Sequence, residues 1–411
     1  MKKFVTLLLS LSMVLALTSA CGSTITTSST AATTASATTA VATTPGTTAV
    51  ASSNEEVKLD GEIKFGLSCA LTGNFPLAGQ RTREGVDLAL EEINAAGGVL
   101  GKKLVYTIED DQNTQQTAVN VVTKIVNAGV CAVIGPHTSG NIAAVSDIYL
   151  TAKIPFLTGG TSPKLALLDN PYFFRIRPSD VINGQVAAKY AVDTLKATKV
   201  GISFNNNDFG TGARDVIIQY LDNAKIPYVA VGHNAGDKDL TGQIMQLKSE
   251  GVDCIISWTD DAESALTARQ LYELGMKVPV ISSAGITMDQ VLNLVEPEYV
   301  EGWYAVTDFA SANTTPKIVK FVEDFTAKYG YKPELYASSY YSATYVLADA
   351  IKRAGSTDPE AIRAALATTK DLDLTEGYYT CNDKGEMVAG CLLVQIKNKV
   401  PTVIEYVDMN K

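Results

Sequence analysis

From residue 55 onward the chain alternates between two hydrophobic periods, and this alternation limits the folds open to it more than any other feature. Residues 62–68 (EIKFGLS) read as a strand, and 79–96 carry Val86, Leu90 and Ile93 at helical spacing before stopping at Gly97 and Gly98. Strands are expected again at 104–109, 131–135 and 154–158, separated by helices at 114–128 and 141–152. A second series has strands at 199–204, 228–231, 253–258 and 278–282, with helices at 211–223, 240–250 and 262–274 between them. Strands that alternate with helices require parallel sheets with right-handed crossovers. Runs such as CAVIG and DCIISW are almost wholly apolar, as strands covered on both faces must be. Two series therefore predict an α/β fold of two doubly wound, Rossmann-like lobes. Helices at 318–329 and 335–354 and closing strands at 391–396 and 403–407 come after both series, so each lobe is expected to be discontinuous in sequence.

In open parallel sheets ligands lie outside the carboxyl ends of the strands, at the points where strand order reverses. The residues that follow each strand are thus the candidates for a site. After 131–135 comes Pro136-His137-Thr138-Ser139-Gly140-Asn141, opening a helix, where a hydroxyl and free N–H groups would suit a carboxylate. After 154–158 comes Gly159-Gly160-Thr161-Ser162-Pro163, small enough to let backbone donors approach a ligand. The blander readings are that Ser139 caps its helix and that the glycines only form a turn. Two such loops on neighbouring strands favour a site. Asp260 and Asp261, directly after 253–258, serve either that site or the N-terminus of the helix they open.

The N-terminus has a different logic. Lys2 and Lys3 precede an apolar run, 4–17, too short to span a bilayer comfortably, and Thr18-Ser19-Ala20-Cys21 follows. This reads as a signal peptide, 1–20, with Cys21 as the lipidation site, although Leu17 stands one position earlier than a lipobox usually places it. Residues 22–53 hold 12 Thr, 8 Ala and 6 Ser without one charged or aromatic side chain. Such a segment buries too little apolar surface to offset its chain entropy and reads as a disordered tether, reaching roughly 30 Å. The sequence thus predicts an extracytoplasmic protein anchored through lipid to the outer face of a membrane. All 44 acids and 32 of the 34 bases lie beyond the tether, and the net charge of -10 opposes nucleic-acid binding. His137 and His233 are the only histidines, which disfavours a metal centre, and no cofactor is expected.

Leu71-Thr72-Gly73, the run Glu91-Glu92-Ile93-Asn94-Ala95-Ala96-Gly97-Gly98-Val99-Leu100-Gly101-Lys102-Lys103-Leu104, Asp110-Asp111, Ser146-Asp147-Ile148 and Asp208-Phe209-Gly210-Thr211-Gly212 resemble the leucine/isoleucine/valine-binding proteins. These are type I periplasmic substrate-binding proteins of ABC importers. The resemblance implies two lobes joined by a three-segment hinge near Asp180, Val306 and 385–390, with 59–180 plus 308–386 as one lobe and 181–307 plus 387–411 as the other. It implies a monomer that captures an amino acid, branched-chain or larger and apolar, and delivers it to permease and ATPase subunits. A tethered sensor for a small carboxylate or uncharged metabolite is the other reading. Ser139 matches the serine that holds the ligand's α-carboxylate, and Gly160 and Thr161 match second-loop contacts. Asp180 matches an acid near the α-ammonium, Phe209 stands for a tyrosine of the second-lobe wall, and Tyr341 matches an aromatic wall residue. Two positions depart from the pattern. Ala284 takes the place of the acid that faces the ammonium, and Ala78 takes that of a tryptophan after the first strand. Together they predict a roomier and more neutral pocket unless Asp180 and one of Asp260 or Asp261 supply the charge.

Enzyme chemistry has little support in the string: it has no G-x-S-x-G elbow and no P-loop spacing, and Gly210-Thr211-Gly212 lacks the third glycine of a dinucleotide fingerprint. His137 near Ser139 lacks an evident carboxylate partner. Cys69, Cys131 and Cys254 read as small buried hydrophobes. Cys381 and Cys391 flank the turn signal Asn382-Asp383-Lys384-Gly385, so a disulfide across a hairpin is expected there.

Overall fold

Both series of alternating elements become parallel sheets, and the last third of the chain divides itself between them. The computed structural model describes residues 59–388 and 390–408, so the expected signal peptide, Cys21 and tether lie outside the described residues. Strand β1 (Glu62–Cys69) leads into α1 (Pro76–Ala95), where Pro76 occupies a first-turn position that needs no N–H, and β2 (Lys103–Asp110) returns beside β1. Then α2 (Gln115–Val126), β3 (Val133–Ile134), α3 (Ser139–Ala152), β4 (Phe156–Thr158) and β5 (Phe173–Arg175) complete a five-stranded parallel sheet in the order β2-β1-β3-β4-β5.

After α4 (Asp180–Lys189) the second sheet begins: β6 (Val200–Asn205), α5 (Asp208–Ala224), β7 (Tyr228–His233), α6 (Thr241–Ser249), β8 (Cys254–Trp258), α7 (Asp261–Glu273) and β9 (Val280–Ser282). Two short helices, α8 (Asp289–Leu292) and α9 (Pro297–Val300), precede β10 (Tyr304–Thr307). The chain returns to the first lobe as α10 (Pro316–Tyr329), α11 (Leu335–Ala354), α12 (Pro359–Ala367) and the small hairpin β11 (Leu372–Leu374) and β12 (Gly377–Tyr379). It ends in the second lobe as β13 (Gly390–Lys397) and β14 (Val400–Asp408), antiparallel additions to a sheet ordered β14-β13-β10-β9-β8-β6-β7.

The central strands are buried along their whole length, including all six residues of β6 and all five of β8. Each such Ile, Val or Phe side chain contributes about 1.5–3 kcal/mol on burial, so helices on both faces fix the sheet where it is. Several elements were not evident from periodicity, among them β5, α4 and β10. β5 and β10 are too short for an alternation to show, and α4 is buried around most of its circumference (Asp180, Asn183, Gly184, Val186, Ala187, Ala188), which leaves no polar face.

Three crossings join the lobes, between β5 and α4, between β10 and α10, and between β12 and β13, and they are tied to one another. Arg175 donates its N–H to the Gly385 carbonyl at 2.7 Å and accepts from the Met387 N–H at 3.0 Å, joining the first crossing to the third. Arg177 binds Asp308 with two charge-assisted hydrogen bonds, 2.6 and 2.9 Å, joining the first to the second.

The expected Cys381–Cys391 disulfide is absent: all five cysteines among the described residues are free thiols. The turn itself forms, with the Asn382 N–H donating to the Glu386 carbonyl, but β12 pairs with β11 rather than with β13. The chain leaves the turn for the other sheet, and Cys391 is buried in the second lobe's core. Among the described residues no helix is long and apolar enough to cross a membrane, and no group of three His, Cys, Asp or Glu could hold a metal ion.

Candidate functional site

Strand order reverses between β1 and β3 in the first sheet and between β6 and β8 in the second, and the carboxyl ends of both sets of strands face a shared cleft of about 280 Å³. That is near the lower end of the range for small-molecule sites.

The first lobe's wall is made of loops. Gly135 turns the chain out of β3 with φ +96°, and a Cβ there would lie 2.0 Å from the Ser68 carbonyl oxygen, so only glycine fits. Thr138 is the N-cap of α3 but does not cap it with its side chain; its hydroxyl donates to the side-chain amide oxygen of Asn113 at 2.7 Å instead. The first N–H groups of α3 are therefore open to the cleft, and they carry the positive end of the helix dipole. Ser139, at the first helical position, does not cap either. Its oxygen accepts from the Ser162 N–H at 3.2 Å, which leaves its own proton for a ligand. Gly160 brings the second loop against it, since a Cβ on Gly160 would stand 3.3 Å from the Ser139 Cα.

Thr161 donates its hydroxyl to Asp180 at 2.8 Å, and the Asn183 amide donates to the other carboxylate oxygen at 3.3 Å. Asp180 is 1% exposed, and burial pushes its carboxyl up to about 6, against the two hydrogen bonds and the Arg175 and Arg177 guanidinium groups that favour the charged form. Arg177 lines the cleft as well, with its charge held by Asp308, whose Oδ2 also accepts from the Ser339 hydroxyl at 3.0 Å. His137 sits between Phe75 and Tyr336, at ring separations of 5.8 and 5.7 Å. Neither of its nitrogens has a partner among the described residues, and burial lowers its pKa, so it is neutral and is not paired with Ser139 as a base would be.

The second lobe's wall is made of strand ends and one helix start. Asn207 caps α5 and donates its amide to Asp260 at 2.8 Å. Asp260 is the N-cap of α7 without a side-chain cap hydrogen bond; burial, and then Glu263, pushes it up to about 7. Asp261 makes no hydrogen bond or ion pair among the described residues, and burial together with Asp260 and Glu334 raises its pKa well above the ordinary carboxylate range. Phe209 packs at 6.3 Å from Trp258, and both rings line the cleft. The lobes touch at the rim, where the Ser162 hydroxyl donates to the Asp208 carbonyl at 2.8 Å and the Lys164 ammonium donates to the Thr211 hydroxyl at 3.0 Å.

Of the residues singled out in the sequence, Ser139, Gly160, Thr161, Asp180, Phe209, Asp260 and Ala284 all line this cleft. Tyr341 does not. Its hydroxyl donates to Glu92 at 2.6 Å and its ring packs 4.6 Å from Phe321, away from the cleft, whereas Tyr336 lines it. Five residues along a helix is almost one and a half turns, so the two rings leave α11 on different faces. Ala78 is likewise buried within α1, and Phe75, at the entry to that helix, is the aromatic group that lines the cleft. Of the two alternatives for the pocket's charge, the structure has the acidic one, with Asp180, Asp260 and Asp261 all lining the cleft. A Cβ on Gly285 would lie 2.9 Å from Asp261 Oδ1, so the Asp261 carboxyl stands beside the Ala284–Gly285 turn, where the departure to alanine had left no acid. Arg177, Trp258 and Tyr336 were missed as lining groups. The position of Trp258 as the last residue of a strand was the one available signal.

The chain matches the model of the periplasmic binding protein family over residues 62–401. It is 28% identical over 328 residues to a Leu/Ile/Val-binding protein homolog of Brucella suis, covering 79% of this chain and 87% of that protein. It is 29% identical, at the same coverage, to a leucine-, isoleucine-, valine-, threonine- and alanine-binding protein of Pseudomonas aeruginosa. Among solved structures it resembles a leucine binding protein of Thermotoga maritima, with TM-score 0.80 and 25% identity over 85% of this chain and 99% of that one. It also resembles a branched-chain amino acid transporter substrate binding protein of Streptococcus pneumoniae in complex with isoleucine, with TM-score 0.78 and 25% identity over 84% of this chain and 99% of that one.

Proposed function

The chain belongs to the periplasmic binding protein family, and on that premise we propose that it is the substrate-binding component of an ABC importer, capturing a free amino acid by closing its two lobes. The observation that carries this reading is the pairing of opposite charge preferences on the first lobe's wall. The uncapped start of α3 and the Ser139 hydroxyl suit an α-carboxylate, and Asp180, joined to the same loops through Thr161, suits an α-ammonium. The zwitterionic head common to all amino acids needs both at once. Phe209 and Trp258 then cover the ligand from the second lobe, and exclusion of water strengthens each charged contact.

The sequence features of the N-terminus support an extracytoplasmic lipoprotein, anchored through Cys21, that works as a monomer and passes its ligand to permease subunits without altering it. Ligand exchange and not reaction fits the site, since His137 is unpaired and neutral.

A thermal-shift panel of free amino acids beside their N-acetyl and carboxamide derivatives tests the reading. A preferred free amino acid at 100 times its dissociation constant should stabilise the protein by about 2.7 kcal/mol, and both derivatives should lose most of that. Stabilisation by a derivative as large as by its parent would refute the assignment of the zwitterion to this wall.

A further inference from the structure

We propose that the captured amino acid carries a second positive charge, on its side chain, and that Asp260 and Asp261 on the second lobe's wall receive it. The proposal rests on the amino-acid reading of the cleft and follows from counting charges within it. The lining holds one guanidinium, Arg177, and that group is already bound bidentately by Asp308. It holds three carboxyls, Asp180, Asp260 and Asp261. A neutral amino acid brings one ammonium, which Asp180 takes, and adds a carboxylate of its own. Asp260 and Asp261 would then be closed away from water with the Asn207 amide, at 2.8 Å, as their side-chain donor. Burying two adjacent acids against an aliphatic side chain costs several kcal/mol unless both take up protons.

A separate observation lies on the first lobe, at the start of α11. Glu334, 7% exposed, caps α11 with one carboxylate oxygen on the Tyr336 N–H at 3.1 Å, while its other oxygen has no partner among the described residues. It directly precedes the lining residues Leu335 and Tyr336, and its field reaches Asp261. A third half-satisfied acid facing the pair from the first lobe adds to the negative field that a cation in the cleft would meet. The ring faces of Phe209, Trp258 and Tyr336 line the space between the lobes and suit the stem and charge of a lysine, ornithine or arginine side chain.

The test is calorimetric titration of the protein with lysine, ornithine, arginine, leucine and norleucine, the last having lysine's carbon chain without its amine. At least one basic amino acid should bind about tenfold or more tightly than norleucine, a difference that the Asp260→Asn/Asp261→Asn double variant should largely abolish while still binding norleucine. The two acids are half-buried, so their replacement by Asn should leave the fold intact, and circular dichroism of the variant checks this. Tighter binding of leucine or norleucine than of every basic amino acid would overturn the proposal and leave the amino-acid reading standing, as would a double variant that keeps the wild-type ratio. Failure of all five ligands to bind would overturn the amino-acid reading and the proposal together.

Discussion

The two walls of the cleft handle charge in opposite ways. On the first lobe's wall Asp180 accepts from Thr161 and Asn183, and Arg177 and Asp308 satisfy each other. On the second lobe Asp260 has the Asn207 amide and Asp261 has no hydrogen bond or ion pair among the described residues. The first wall is organised before a ligand arrives, which lowers the cost of binding. On the second wall burial and neighbouring acids raise both carboxyls, so a cation that pairs with them is favoured. Substitutions on the first wall should therefore cost stability or affinity, and loss of an acid from the second should raise the stability of the empty protein.

The largest effect is expected at the joint between two crossings. Asp308→Ala leaves a buried guanidinium unpaired and should lower unfolding free energy by about 3–5 kcal/mol in urea denaturation. A loss below about 1 kcal/mol would mean that the first wall does not depend on its pairing. Ser139→Ala should weaken amino-acid binding by about 1–3 kcal/mol in calorimetry, and because it removes the acceptor of the buried Ser162 N–H the empty protein should also melt lower. Unchanged affinity would remove Ser139 from the site.

The second wall makes a prediction with the opposite sign. Asp260 titrates near 7 in the fold against an ordinary 3.8, so the unfolded chain loses this proton first. Stability linked to the group is fully present below about pH 4 and is lost as pH rises through 7. Asp260→Asn should thus melt higher than the wild type at pH 8, by about 2 °C or more, and the gap should close below pH 4. A variant that melts lower at pH 8 would show that the acid is paired after all. Outside both walls, Tyr341→Phe should cost about 1 kcal/mol of stability through the lost hydrogen bond to Glu92 and leave ligand affinity unchanged. The smallest effect concerns the thiols. A reducing agent should not shift the melting curve, because no disulfide joins Cys381 to Cys391.

Much of this contrast could be read from the string, because strand ends are fixed by burial and the residues that follow them must face the cleft. Ser139, Gly160, Thr161 and Asp260 were located in that way. What could not be read was the rotation of residues about helix axes. Tyr336 and Tyr341 lie on the same helix, and only packing decides which ring faces the ligand. Asp261 could be named from its place after β8 as a source of charge, but not that its carboxyl would stand beside the Ala284–Gly285 turn, which the pairing of β8 with β9 decides. The disulfide expectation failed for a related reason, since a turn signal does not say whether the strand after it stays in the same sheet.

The threading of the chain through three crossings also governs when it can fold. The strands of the first sheet are complete at β5, yet α1 packs against α11, which is made some 160 residues later. In the second sheet β10 has no neighbour on its outer side until β13, the penultimate strand, has emerged. Neither lobe can finish ahead of the C-terminal segment, and contacts between such distant parts of a chain form slowly. A polypeptide with this topology stays open until nearly all of it has been made, the condition in which a chain can still be threaded through a translocation pore.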